Sequence, residues 1–419
     1  MIFYTYFYVL FALTLIPISM KLNNKNIRDN IYIVILITLI IFASLRGYSR
    51  DTRQYYYFYI AINDLITYLY QIFNTGFKEY FIENYSKQYQ QAPFTFKNPT
   101  SNLFEREHLF FIYLSFIKVF FSHHQLVYIS TAIPSLVLIF YYFKKISNLY
   151  LFFPIIYFSD IYLVNNLIQI KYGLAVSLLL PIIYYNIKKK FILSFFLIFV
   201  ASQIHFAMIS VYIIFVFNFL NRNNMNFIKY FFIILLLVIL FYLIINFLNF
   251  ELLTHYIYAD KFKESIFEDF SPRFIFKFFL IFLIMFYYKR LIHYNEYSFI
   301  IINLYFYSFI LTLLFYNNKY VGSKLSNVFE ILTIIIFLYI IDIFFKKTLF
   351  KFVSVVCIAT FFFNFNYNYT TKIKPYGYEI FFYMHEELND VKDLKNTLNF
   401  TNSPLLCRKR IRDGFCYND

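Results

Sequence analysis

The sequence has few charged residues, few glycines and no tryptophan. Only 15% of its 419 residues are charged, whereas 61% are hydrophobic. A soluble domain carries about 25% charged and about 45–50% apolar residues, so a single water-soluble globule is excluded and a polytopic membrane protein is indicated. The six glycines are scattered. This excludes the glycine-rich phosphate loop of an ATPase and the dinucleotide fingerprint of a nicotinamide enzyme.

Cysteine is equally scarce. None of the three cysteines has CxxC spacing, which excludes a zinc ribbon and a thioredoxin-like motif. Cys407 and Cys416 enclose eight residues; a small disulfide loop is one interpretation in an oxidising compartment, and two free thiols are the other. The adjacent His123 and His124 lack the i, i+4 spacing of a helical metal site. We therefore expect neither a metal site nor a cofactor; the alternative is a divalent cation held by the carboxylate oxygens of Glu105 and Glu107.

Long apolar runs are abundant instead. A membrane helix needs about 20 mainly apolar residues. Segments near that length are residues 2–20, 31–45, 126–143, 149–164, 167–187, 191–204, 206–220, 230–249, 274–288, 298–316, 327–345 and 348–366. Residues 108–122 are a weaker candidate, because Lys118 lies in their middle. The sequence thus predicts an all-α integral membrane protein with about 12 (about 11 to 13) transmembrane helices in residues 1–366.

The distribution of charge predicts which loops face the cytoplasm. The formal net charge is +15, and short connections between predicted spans hold fifteen basic and only two acidic residues. Three long polar segments, 46–107, 250–273 and 367–419, are nearly balanced in charge. Lys/Arg enrichment of short loops marks the cytoplasmic face. The long segments are therefore expected outside: 46–107 as a large loop with interfacial helices, 250–273 as a second loop and 367–419 as a tail. Because the positive charge is explained by the cytoplasmic loops, it does not indicate a nucleic-acid partner.

Residues 108–122 decide whether this map is consistent. If they crossed the membrane fully, Lys144 and Lys145 would lie outside, against the charge bias of the later loops. We predict that the segment is interfacial or re-entrant. The alternative is a further crossing hidden in the preceding loop, for example residues 54–73.

On this map several ionisable residues lie on the outer face. They are Arg46, Asp51, Lys171, His205, Arg273 and Lys324. A charged group at membrane depth costs about 2.5–3.5 kcal/mol and usually faces a polar cavity, so clustered cations indicate an anionic ligand. Each of three residues also has a simpler interpretation. Arg46 is alternatively an interfacial anchor, Lys171 a lysine that snorkels to the membrane surface, and His205 a hydrogen-bonded turn residue. Lys118, Lys277 and Asp342 are interpreted as ordinary boundary residues.

Four motifs carry a resemblance to a known family. They are SLRGYSRDTRQYYYFY, with Arg46, Asp51, Thr52 and Tyr55; FEREHLFFIYLSF, with Glu105; NNLIQIKYGLAVSL, with Lys171, Leu174 and Ala175; and SQIHFAMISVYIIF, with His205. KLSNVFEIL, with Lys324, is a weaker fifth. In this order they resemble the Wzy-type repeat-unit (O-antigen) polymerases of bacterial surface polysaccharides, and among them the EpsG-like family. Lys171 and Lys324 stand where that family has Arg, and Tyr172 where it usually has Gln.

The resemblance implies a GT-C-like fold and a metal-independent glycosyltransferase. Such a polymerase joins polyprenyl-diphosphate-linked oligosaccharide repeat units at the periplasmic face of the bacterial inner membrane. The resemblance leaves open a second partner, a protein that regulates chain length. Arg46, Lys171 and Lys324 are expected to bind the diphosphate, with Arg273 as a fourth cation. Lys is a point charge rather than a bidentate fork, so the geometry of phosphate binding would differ.

The acceptor hydroxyl needs a base within hydrogen-bond reach. Asp51 is the first candidate for this base, and Glu105 and His205 are the next two.

Two other functions remain open: a flippase or exporter of lipid-linked oligosaccharide, and an O-antigen ligase. A carrier favours repeated halves and charges near the midplane, and the sequence shows no internal repeat and little midplane charge.

Overall fold

The computed structural model describes residues 14, 16–17, 24–44, 65–75, 108–120, 125–166, 169–218, 236, 272–315 and 319–373, and these contain helices and turns but no strand. The first half comprises α1 Lys25–Ser44, α2 Leu65–Thr75, α3 His108–Phe120, α4 Gln125–Ile146, a 3-10 turn Tyr150–Phe152, α5 Phe153–Tyr157, a π-helix Phe158–Asn166, α6 Ile170–Val176, α7 Leu179–Ile187 and α8 Phe191–Ile204. The second half comprises a 3-10 helix Phe206–Ile213, α9 Ile214–Phe217, α10 Pro272–Ile292, α11 Ser298–Leu314, α12 Lys319–Asn327, α13 Glu330–Phe344 and α14 Thr348–Ile373.

Ten of the predicted apolar segments coincide with helical structure, and residues 2–20 and 230–249 lie almost wholly outside the described residues. Three helices are long and apolar enough to cross a membrane: Lys25–Ser44, Leu126–Ile146 and Ile170–Ile187. Shorter apolar helices accompany them. The chain is therefore an all-helical membrane protein, whereas twelve crossings remain a prediction.

The helices begin and end for local reasons. Lys144 and Lys145 lie in the last turn of α4, and Lys289 and Arg290 in that of α10, where cations interact favourably with the helix dipole. The predicted span 149–164 is broken by the change from α-helix to π-helix at Phe158.

Aromatic side chains fill much of the core. Phe143 and Phe153 stack with ring centroids 3.8 Å apart. Buried tyrosines also tie distant elements together through their hydroxyls: Tyr32 donates to the Phe140 carbonyl at 2.9 Å and Tyr162 to that of Leu39 at 2.7 Å. A buried phenol needs such a partner because an unmade hydrogen bond is costly in a dry interior. These bonds hold α1 against α4 and the π-helix.

Short connections meet at one end of the bundle, here called the lysine-rich end (Asp29 and the turns at 147–150, 188–190, 293–297 and 345–347). Lys144 Nζ lies 2.9 Å from Asp29, and Lys188 Nζ lies 2.9 Å from Glu296. The hydrogen bond from Lys188 lowers the pKa of Glu296, so this carboxyl is ionised at neutral pH. Those loops predicted to be cytoplasmic that the structure describes therefore share one end, and the predicted loop with Arg222 and Lys229 lies outside the described residues.

Asp342 also belongs to this end. It is ion-paired with Lys351 and accepts a hydrogen bond from the Tyr294 hydroxyl. Its interpretation as an ordinary boundary residue was therefore incomplete: it ties α13 to α14 and to the turn after α10.

Helix α3 lies at the opposite end. Its 13 residues span about 20 Å, less than the about 30 Å of a bilayer core. The beginning of α3 lies beside α6, since the Lys171 ammonium is 5.8 Å from the Phe110 ring centroid. The end of α3 leads into the beginning of α4, and the other end of α4 is at the lysine-rich end. Both ends of α3 therefore lie away from the lysine-rich end, which favours an interfacial or re-entrant segment.

Cysteine labelling checks this map. In a cysteine-free background, Lys189→Cys in the exposed turn before α8 should be protected from a membrane-impermeant maleimide in intact cells, because it lies at the predicted cytoplasmic face. Ser122→Cys, outside the described residues, should react. Labelling of residue 189 from outside would overturn the map; permeabilised cells, in which both must react, are the control.

Most of the predicted polar segments lie outside the described residues. Within the predicted loop 46–107 only α2 is described, and it packs against α3 with Ile66, Tyr70 and Phe73 exposed. Whether this helix is interfacial or belongs to the alternative crossing at residues 54–73 remains a prediction. The loop 250–273, the tail 367–419 and the cysteines 407 and 416 remain predictions.

Candidate functional site

The end of the bundle opposite the lysine-rich end, here called the distal end, is formed around the beginning of α6. Gly173 packs this helix directly on the π-helix, because a Cβ added there would lie 2.2 Å from the Asn165 carbonyl oxygen. Only glycine permits such a backbone approach. The preceding residue, Tyr172, is thereby held inside the bundle with its side chain 4% exposed.

Tyr172 brings together two of the residues predicted for the site. The ring of His205 meets the Tyr172 ring edge-on, with centroids 4.9 Å apart. The ammonium of Lys324 lies 5.6 Å from the centroid of the same ring, within cation–π range. His205 and Lys324, 119 positions apart in the sequence, are thus neighbours across one aromatic side chain.

Hydrogen bonds fix α12, which carries Lys324. The hydroxyl of Ser210 donates to the Leu325 carbonyl at 3.4 Å, and that of Ser308 donates to the Ser326 carbonyl at 3.0 Å. The first joins α12 to the 3-10 helix after His205, and the second joins it to α11. Lys324 is therefore presented from a short helix anchored on two sides.

His205 ends α8 and begins the following 3-10 helix. Its backbone is extended, and its Nδ1 accepts a hydrogen bond from the Ala207 amide at 3.2 Å. With Nδ1 an acceptor, the ring proton of the neutral imidazole is on Nε2. His205 is therefore a hydrogen-bonded turn residue and also a potential Nε2–H donor. This geometry argues against its predicted role as a base.

Lys171 approaches the site from another direction. Although it precedes Tyr172 in the sequence, its ammonium lies beside the Phe110 ring of α3. The structure thus places Lys171 at the distal end but directs it to α3 rather than across the Tyr172 ring.

Two residues of the distal end were missed or misinterpreted. Glu330, at the first position of α13, lies with its Oε1 3.8 Å from Lys277 Nζ of α10, and the two side chains are 12% and 14% exposed. The interpretation of Lys277 as an ordinary boundary residue was incomplete, since it pairs with a carboxylate of another helix. The sequence signal was Glu330 itself, an acidic residue within an apolar segment.

The carboxylate of Glu330 is also within electrostatic range of two phenols, those of Tyr172 and Tyr305. The Tyr172 ring thus contacts an imidazole and an ammonium, and a carboxylate lies within electrostatic range of its hydroxyl. Across the described part of the chain, the Tyr172 hydroxyl has no hydrogen-bond partner, so the site contains a buried donor that a ligand could satisfy.

The other predicted residues are less defined. Arg46, Asp51 and Glu105 lie outside the described residues, and their roles remain predictions. Arg273 lies in the first turn of α10, and its role remains a prediction. No group of three or more His, Cys, Asp or Glu side chains placed to hold a metal ion occurs within the described ranges.

Comparison with known proteins gave one match. The sequence model of the EpsG family matches residues 29–379, a range that includes Tyr172, His205, Lys324 and Glu330. Searches of curated proteins and of solved structures gave no significant match.

Proposed function

Because the chain belongs to the EpsG family, a family of glycosyltransferase-like membrane polymerases, we propose that it joins polyprenyl-diphosphate-linked oligosaccharide repeat units into an O-antigen-type surface polysaccharide. The reaction takes place at the periplasmic face of the bacterial inner membrane. The growing glycan leaves its diphosphate carrier and is joined to the terminal sugar of a new lipid-linked unit. The diphosphate is already activated, so no nucleotide is required.

The convergence of Lys324 and His205 on Tyr172 carries this proposal. As the bond between the anomeric carbon and the diphosphate oxygen breaks, its electron pair remains on the diphosphate, and negative charge develops there. Preorganised cations and N–H donors at that position stabilise the transition state. Lys324 and the Nε2–H of His205 supply a cation and a donor from the described residues, and Lys171 and Arg273 add cations at the same end.

The outer surface suits the lipid parts of the substrates. Exposed aromatic side chains line α8, including Phe195, Phe196 and Phe199. In a membrane protein such faces contact acyl or isoprenoid chains. Lipid carriers would thus reach the distal end along the helices while their diphosphates remain at the polar site.

Replacing Arg46 or Asp51 tests the function. Arg46→Ala removes a predicted diphosphate cation and Asp51→Asn a predicted base. In cells deleted for the chromosomal gene, each should lower the amount of polymer about tenfold or more at normal protein level, because each removes a group acting in the transfer. The measurement is the polysaccharide ladder on a gel, and Lys289→Ala at the lysine-rich end is the matched control.

The same gels distinguish the alternatives. Loss of a polymerase leaves one repeat unit on its lipid A core, whereas loss of a ligase leaves none, and loss of a flippase leaves lipid-linked units on the cytoplasmic leaflet. An undiminished ladder with both variants would remove these residues from the site.

A further inference from the structure

A carboxylate and a buried phenol at the distal end have no assigned role. Glu330 is largely buried, and an ionised carboxylate in such a position is costly unless it is paired. Lys277 provides the counter-charge at 3.8 Å. Glu330 also begins a helix, where the helix dipole favours negative charge. Both features stabilise a carboxylate group at this largely buried position.

The pair Tyr172 and Glu330 matches a hydroxyl group rather than a phosphate. A phenol can donate one hydrogen bond, and an ionised carboxylate only accepts. A sugar hydroxyl both donates and accepts, so it complements the two together, whereas a diphosphate would be repelled by the carboxylate. The nearby ammonium of Lys324, on the Tyr172 ring, complements the diphosphate. The site thus offers a hydroxyl subsite next to an anion subsite, the arrangement that transfer from a diphosphate to a hydroxyl requires.

We propose that Glu330 is the catalytic base for the acceptor sugar and that Tyr172 donates a hydrogen bond to the same hydroxyl. The acceptor oxygen bonds to the anomeric carbon of the growing glycan, and the hydroxyl proton passes to the Glu330 carboxylate. The bond from the anomeric carbon to the diphosphate breaks with its electron pair on the diphosphate. Lys277 is a positioning residue that acts through Glu330. The inference rests on the polymerase function proposed above, and Asp51 is the competing base.

Glu330→Gln is the central variant. Gln keeps the shape but cannot accept the proton as a carboxylate does. In membranes supplied with lipid-linked repeat units extracted from the same cells, the variant should lower kcat about 100-fold or more, with KM within about threefold of the wild-type value, because the hydroxyl is still bound. Glu296→Gln is the matched control: this glutamate is paired with Lys188 at the lysine-rich end and its loss should leave the rate unchanged.

A charge exchange separates catalysis from structure. Lys277→Glu combined with Glu330→Lys retains an ion pair between α10 and α13 but places an ammonium next to Tyr172. The exchanged protein should regain the thermal stability that Lys277→Glu alone loses, and it should remain inactive. Recovery of activity together with stability would show that the pair only joins two helices, and would overturn the inference.

Other outcomes are equally decisive. Retention of more than a tenth of the wild-type kcat by Glu330→Gln would overturn the role of Glu330, and so would a larger fall in kcat for Asp51→Asn than for Glu330→Gln. The polymerase function would survive both results. It would fail instead if deletion of the whole chain left the ladder unchanged. If Glu330→Gln does not reach the membrane, Glu330→Asp is tested instead. Its carboxylate is one methylene shorter, so the variant should retain measurable transfer. The proposal would be refuted if a stably folded Glu330→Asp variant lost all transfer while the exchanged protein was active.

Discussion

Replacing Lys324 with glutamine should lower polymer growth by about 100- to 1,000-fold, the cost of removing one preorganised group that stabilises a developing charge. Lys324 is held over the Tyr172 ring at 5.6 Å on a helix anchored by Ser210 and Ser308. Glutamine retains part of the aliphatic stem and can donate a hydrogen bond, but it has no charge. The measurement is the initial rate of extension of lipid-linked repeat units in membranes with equal amounts of each protein.

The matched control for Lys324 lies at the lysine-rich end. The Lys190 ammonium is 5.9 Å from the centroid of the Tyr185 ring, so Lys190→Gln breaks the same kind of cation–ring contact away from the site. It should leave the rate within about twofold, since exposed contacts of this kind contribute only about 0.5–1 kcal/mol to stability. Lys324→Arg keeps the positive charge and should retain most of the activity. A glutamine variant at 324 as active as that at 190 would exclude Lys324 from the anion subsite.

Replacing Gly173 with alanine should strongly destabilise the folded protein. The added Cβ would lie 2.2 Å from the Asn165 carbonyl oxygen and 2.8 Å from its carbon. The obstacle is backbone, so a rotamer change cannot relieve it, and α6 must move away from the π-helix. Overpacking a well-filled interior costs about 1–3 kcal/mol, sometimes more, and a backbone clash belongs at the upper end. Tyr172 would move with α6, so the remaining folded protein should also be inactive.

Size-exclusion chromatography of a fluorescent fusion in mild detergent measures this effect. Gly173→Ala should lower the monodisperse peak well below that of the wild-type protein, because a loss of about 3 kcal/mol removes a large fraction of the about 5–15 kcal/mol by which a protein is stable. Ser354→Thr is the control. This change also adds one methyl group within a helix, but at an exposed serine whose hydroxyl donates a hydrogen bond to the Phe350 carbonyl of the same helix. It should leave the monodisperse peak unchanged. A normal peak for Gly173→Ala would show that α6 and the π-helix do not pack closely in the membrane.

The apolar runs of the sequence predicted the helices well, because burial of a continuous apolar segment depends mainly on its own composition. Residues 191–204 were predicted with the bounds that the structure shows for α8. The runs could not predict the change to a π-helix at Phe158 or the separation of α6 from α7. These breaks depend on packing against neighbours such as Asn165 and Gly173, which composition does not encode.

The candidate site was predicted in part. Motif order and sidedness led to His205 and Lys324, and both contact Tyr172. Tyr172 itself was noted only as a departure from the family pattern. Lys277 and Glu330 were not connected, because a lysine in an apolar helix has the same sequence signal whether it snorkels to an interface or pairs with a carboxylate 53 positions away.

The sequence by itself determined that this chain is a helical membrane protein of a glycan-polymerising family, since hydrophobic composition, loop charge and short motifs are properties of neighbouring residues. Only the tertiary structure decided that a tyrosine lies between a histidine, a lysine and a glutamate, and that the glutamate is neutralised by a lysine of another helix. Electrostatic and hydrogen-bonding partners are set by distances in space between helices, and in a bundle these distances are unrelated to separation along the chain.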